Sequence, residues 1–178
     1  MIGRDGVVAN GAALMAPSLG RRMASFVYEG LLLFGIGLIP GAIGALLVAL
    51  TGNQHPLQND ATLRVITLLI YAGYFTWFWS ARGQTLPMQT WHIRVVTVKG
   101  ERLSPWQALA RFTASCAWFA PAALLSAANG WTRWHGLAAM GIGVVAYALL
   151  ALAHPQHQFW HDALCGTRLI TVRPTKKT

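Results

Sequence analysis

Arg22 and Glu29 stand seven residues apart in the stretch Arg21-Arg22-Met23-Ala24-Ser25-Phe26-Val27-Tyr28-Glu29, which runs into an apolar segment ending near Leu50. On an α-helix seven residues make about two turns, so the pair shares a face roughly 10 Å apart. A carboxylate inside an apolar run is costly and points to a functional site whose partner must be found. Three other residues could complete that site. Arg111 lies near the start of a later apolar run, and His161-Asp162 follow the last one.

These residue types allow two chemistries. Glu29 can pair with Arg111 or Arg22 and set helix register, or it can serve as a proton or cation site. A carboxyl in a low-dielectric setting with no cation beside it can load and release protons, so the position of Arg111 decides between the two. Asp162 can cap the tail or bridge to Arg21, Arg22 or a loop arginine. Alternatively it forms a second carboxylate at the cytoplasmic mouth, with His161 titrating near neutral pH. His154, His157, His161 and Cys165 fall at helical spacings that suit a metal face. Pro155 interrupts that face, so no metal and no cofactor is expected. No nucleophile-base-orienter set, phosphate-cradling loop or hydrolase carboxylate pair is present, so an enzyme is not expected either.

The elements that must hold these residues are apolar. Of the 178 residues 54% are apolar and 11% charged, and the mean hydropathy is +0.44. Long apolar runs of this kind place the chain among membrane proteins. The net charge of +9 then marks basic cytoplasmic loops that meet anionic lipid headgroups, with no nucleic-acid partner implied. The two cysteines give neither a disulfide framework nor a zinc spacing.

Four spans are predicted, at about 24–50, 63–80, 106–128 and 136–153. A weakly ordered cytoplasmic lead (1–18) precedes a membrane domain (19–173), and a basic tail (174–178) follows it. The first run is too long for a signal-peptide core and fits a retained anchor. Pro40, with Gly37, Gly41 and Gly44 around it, is the expected bend, and Gly37 and Gly41 have the spacing that lets another helix approach. The aromatic group Tyr71, Tyr74, Phe75, Trp77, Phe78 and Trp79 reads as an interfacial belt. Ser104-Pro105 reads as a helix start.

With the N-terminus inside, twelve of the fourteen Lys and Arg residues fall on the cytoplasmic side, leaving Arg64 and Arg133 outside. The positive-inside rule therefore places both termini in the cytoplasm. Two β-rich stretches, 92–98 and 168–172, then share that side. A lone strand has no partner for its backbone groups, so the two are expected to pair and bring Asp162 back beneath the helices. The fold expected is an all-α membrane protein with four transmembrane helices and a small cytoplasmic two-stranded β element.

From Arg21 to Val172 the chain resembles the RDD family of bacterial multi-pass membrane proteins, named for an arginine and two aspartates. Arg22 and Glu29 match the family's first pair, with Glu in place of the usual Asp. Gly83-Gln84-Thr85-Leu86 and Arg94-Val95-Val96 match its middle loop, although Pro87 and Met88 replace a Gly and a Lys. His161-Asp162, Cys165-Gly166-Thr167 and Arg168–Val172 match its close. The resemblance implies a bacterial inner-membrane location and, because some members are thought to be ion exchangers, an ion- or proton-linked transport role. Four helices are few for a private pathway, so that role implies a homo-oligomer. The other reading is a non-catalytic scaffold or assembly protein whose charges are structural. The expected charge cluster is Arg22, Glu29, Arg111, His161 and Asp162.

Overall fold

The computed structural model describes residues 15–52, 60–116, 119–153 and 158–172. In chain order the elements are α1 (Leu19–Thr51), α2 (Asp60–Ala81), α3 (Leu86–Thr90), β1 (Ile93–Thr97), α4 (Pro105–Cys116), α5 (Ala120–Ala128), α6 (Arg133–Leu150), α7 (Trp160–Leu164) and β2 (Thr167–Thr171). Among the described residues three helical stretches are long and apolar enough to cross a membrane: Leu19–Thr51, Ala61–Ala81 and Pro105–Ser126. The apolar stretch Trp134–Leu150, where a fourth span is expected, is shorter.

α1 begins at Leu19, five residues before the expected span, so Arg21 and Arg22 belong to its first turns. It continues through Pro40 as one helix. Proline removes one backbone donor and does not have to end a helix in the bilayer when neighbours re-satisfy the backbone. Pro40 leaves the Ile36 carbonyl without its helical donor, and the Tyr71 hydroxyl donates to a different carbonyl, that of Leu33, at 2.7 Å. The helix ends at Gly52, whose left-handed φ of 59° lets its N–H return to the Val48 carbonyl.

The sides of α1 are inverted relative to a soluble helix. Its buried residues are Arg22, Ser25, Glu29, Pro40 and Gly44, while Leu31, Phe34, Leu38, Ile39, Ile43 and Leu46 are exposed. Apolar surface turned outward with polar groups turned inward is what a lipid solvent selects. Small residues mediate the α1–α2 contact, but in a different register from the one expected. A Cβ on Gly37 would meet the Tyr71 hydroxyl at 2.5 Å, and one on Gly44 would meet Leu63 at 3.0 Å. Gly41 has nothing within 4 Å. The close approach therefore uses positions seven apart.

The apolar core sits at one end of the bundle, where α2 and α4 make the most extensive helix–helix contact. Trp79, Met88, Ile93, Val95, Leu103, Ala108, Phe112 and Leu169 pack there. Half of the expected aromatic belt belongs to this core. Phe75 packs against Trp79 and Phe112, and Trp79 is 5% exposed against 71% for Trp77. Residues 75 and 79 are one turn apart on the face of α2 that meets α4, whereas 77 points away.

β1 and β2 pair antiparallel, with Ile93 opposite Thr171 and Thr97 opposite Thr167. The expected pairing is present with slightly different bounds. A two-stranded sheet has two open edges, and both are occupied. On the β1 side, the Val95 N–H donates to the Gly83 carbonyl at 2.8 Å, and the Gln84 side chain donates to the Ile93 carbonyl. Gly83 has φ +68°, and a Cβ there would lie 2.9 Å from the Val95 carbonyl oxygen, so only glycine fits this turn. On the β2 side, the Gln158 amide exchanges two hydrogen bonds with the backbone of Leu169. The Thr171 N–H donates to the Met15 carbonyl.

Candidate functional site

Two consecutive arginines open α1, and the helix turn sends them to different tasks. The Arg21 guanidinium donates to the carbonyls of Trp91 and His92 and to the Thr171 hydroxyl. It thus ties α1 to both strands at the point where His92 takes a left-handed φ of 53°. Arg22, a third of a turn on, faces the bundle interior. Its Nε donates to the Pro17 carbonyl at 2.8 Å, and the guanidinium lies 5.3 Å from the Phe159 ring centroid. Its Nη1 is buried with no hydrogen-bond partner.

Two turns further along the same face, Glu29 is held by hydroxyls. The Tyr74 hydroxyl donates to Oε1 at 2.8 Å and the Thr85 hydroxyl to Oε2 at 2.5 Å. Among the described residues no arginine is in ion-pair contact with it, so the expected pairing with Arg111 or Arg22 is corrected. Thr85 is fully buried and is also the N-cap of α3, where its side chain accepts from the Met88 N–H. Pro87 in the first turn supports that start. The short helix thus fixes the hydroxyl that holds the carboxyl.

Arg111 is taken by Asp162. Its Nε donates to Oδ1 at 2.7 Å, and its guanidinium carbon lies 4.2 Å over the Trp79 ring. Asp162 has no exposed surface, so the pair is a fully desolvated one. The partners come from α4 and α7. Ser104 and Gln107 start α4 with reciprocal backbone bonds, an N-terminal capping box. α7 is anchored by the Thr167 hydroxyl, which donates to the Asp162 carbonyl. The Oδ2 atom of Asp162 is buried without a partner.

His161 completes the group, but not as a neutral-pH titrating residue. Burial pushes its pKa down to about 4, against the expectation of titration near neutral pH. Its Nδ1 lies 2.5 Å from the Tyr147 hydroxyl, and its backbone N–H donates to that same oxygen. The hydroxyl accepts from the backbone N–H, and its bond with the ring runs in the direction the imidazole tautomer sets. Nε2 is 3.4 Å from Asp162 Oδ1.

Arg22, Glu29, Arg111 and His161 all line one cavity of about 450 Å³ between α1, α2, α4 and α6. Asp162 stands behind Arg111. All five residues singled out in the sequence are therefore brought to one place. Sequence reasoning missed Tyr74, Thr85 and Tyr147. Thr85 could have been found as a cap residue two positions before Pro87, and Tyr147 as the only hydroxyl-bearing residue in the run 136–153. The possible metal face cannot be traced, because His154 and His157 lie outside the described residues. Among those residues no group of three His, Cys, Asp or Glu side chains could hold a metal ion.

A family model described as the RDD family matches residues 16–166. The matched span includes the whole charge cluster, the Gly83–Leu86 turn and β1. No curated protein matches the chain.

Proposed function

Because this chain belongs to the RDD family, we propose that it is a non-catalytic bacterial inner-membrane protein whose cavity carries out proton- or ion-linked transport. Three long apolar helices and the shorter α6 support a four-span arrangement. The distribution of Arg and Lys supports a sheet end and both termini in the cytoplasm, facing anionic lipid. Four helices enclose little space of their own, so the working form in this reading is a homo-oligomer.

One observation carries the reading, namely that Glu29 is held by hydroxyls while Arg111 is occupied elsewhere. A guanidinium can only donate and so supports only an ionised carboxyl. A hydroxyl donates to a carboxylate and accepts from a carboxylic acid. Tyr74 and Thr85 can therefore serve both protonation states of Glu29, and the cavity beside it gives a proton or ion somewhere to go. The purified protein in proteoliposomes should show proton flux driven by a cation gradient, and Glu29→Gln should abolish it without unfolding the protein. Absence of flux under every cation gradient tested would overturn the transport reading.

The scaffold reading draws on the other half of the site. The Arg111–Asp162 pair joins α4 to α7 and is suited to holding the fold together. Absence of flux in the native protein, with Glu29→Gln folding as well as the native chain, would favour that reading.

A further inference from the structure

The cavity's walls do not match its charges. Beyond the polar residues at the sheet end, its lining is carried by Phe26, Leu33, Phe75, Phe112, Phe119 and Val144. Such walls suit a hydrocarbon chain, and water gains few partners along them. At the polar end stands Arg22, 6% exposed, with Nη1 buried and unpartnered. A buried guanidinium donor without an acceptor is costly, and the group that satisfies it must be an acceptor, best an anion.

The Asp162 charge acts on Arg22 through space, but no hydrogen bond joins Asp162 Oδ2 to the Arg22 Nη1 group. The other polar groups facing the cavity are engaged. Arg111 is already paired with Asp162, His161 is hydrogen-bonded to Tyr147, and Glu29 is two turns away, held by Tyr74 and Thr85. From Arg22 to Leu33, both on the cavity wall, α1 rises roughly 16 Å. That is about the hydrocarbon depth of one leaflet, half of ~30 Å.

We propose that the cavity binds an anionic amphiphile, its acidic head on the free arm of Arg22 and its acyl chain along the apolar wall toward Leu33. The site does not require Glu29 to titrate, so it stands or falls apart from the transport reading. The head can be the carboxylate of a free fatty acid or the phosphate of a bilayer lipid, since both present the same acceptor to Arg22.

The test uses the full-length protein in phosphatidylcholine nanodiscs and brominated probes that quench Trp79 on the cavity wall. 12-Bromododecanoate is compared with 12-bromododecanol, and a Trp79→Phe variant defines the background quenching. The native protein should prefer the acid by about tenfold or more, the value of a buried charge-assisted bond. Arg22→Gln should erase that preference, and Arg22→Lys should keep part of it. Equal quenching by acid and alcohol on the native protein would overturn the proposal, and that comparison needs no variant to fold. A preference that survives Arg22→Gln would overturn it too. Tail-brominated phosphatidylglycerol distinguishes the sources. Quenching that depends on Arg22 identifies a bilayer lipid as occupant, and quenching by the free acid alone identifies a diffusing amphiphile.

Discussion

At the scale of single residues, the cluster separates into groups that stay charged in place and groups that can change. Arg111 and Asp162 hold each other at 2.7 Å with almost no water contact. Breaking such a pair leaves one charge buried alone and costs about 3–5 kcal/mol. His161 sits against the pair as a neutral ring, and its burial has a consequence for stability against pH. The folded pKa is about 4 and the unfolded value is about 6.5. Between those limits the unfolded chain binds more protons. Stability is therefore flat above about pH 6.5, falls as pH drops toward 4, and has lost about 2 kcal/mol from this group by pH 5. Thermal unfolding in nanodiscs should show a larger fall from pH 7.5 to pH 5 for the native protein than for His161→Asn. Equal falls would mean that the ring is solvated. The identity of these residues was readable in advance, because ionisable groups in apolar runs stand out. Their pairing was not. Glu29 and Asp162 are both carboxylates within reach of arginines, and only the positions of α3 and α7 assign Arg111 to one and hydroxyls to the other.

At the scale of elements, the sheet was legible from its β-rich stretches and the side of the membrane they share. α3 was not, because five residues carry too little periodicity to register. The α1–α2 contact was half legible. Glycines marked it, but Gly37, Gly41 and Gly44 together allow several registers, and only the Tyr71 side chain selects one. Its hydroxyl occupies the space a methyl on Gly37 would need and donates to Leu33. Gly37→Ala should cost about 1–3 kcal/mol through overpacking, whereas Gly41→Ala should cost close to nothing. Adding Tyr71→Phe to Gly37→Ala removes the clashing oxygen. The double variant should therefore be more stable than the sum of the two single changes predicts, by at least ~0.5 kcal/mol. Additive losses in denaturation of the detergent-solubilised protein would show that Tyr71 does not set the register. Aromatic residues were the least legible, because a ring facing lipid headgroups and a ring facing the core have the same composition. Trp77 and Trp79 differ only in which side of α2 they occupy.

At the scale of the whole molecule, the bundle is built from pieces far apart in the chain, and its closing piece comes last. Asp162 reaches Arg111 across 51 positions, and Thr171 reaches Arg21 across 150. The ribosome delivers the chain from one end, so Arg111 is made well before its counter-charge exists. Until α7 and β2 emerge, the newly made protein carries an Arg111 without its carboxylate partner and a β1 edge without its strand. Both are features of an incompletely folded chain, and the tail removes both. A chain stopped after Ala153 should be cleared rapidly in cells. Arg111→Leu in that shortened chain should restore part of its abundance, measured by pulse-chase, and no rescue would mean that the missing sheet alone condemns it. A membrane protein closed in this order exposes its charge cluster only while unfinished, so a ribosome that stalls within the last turns leaves its own mark for disposal.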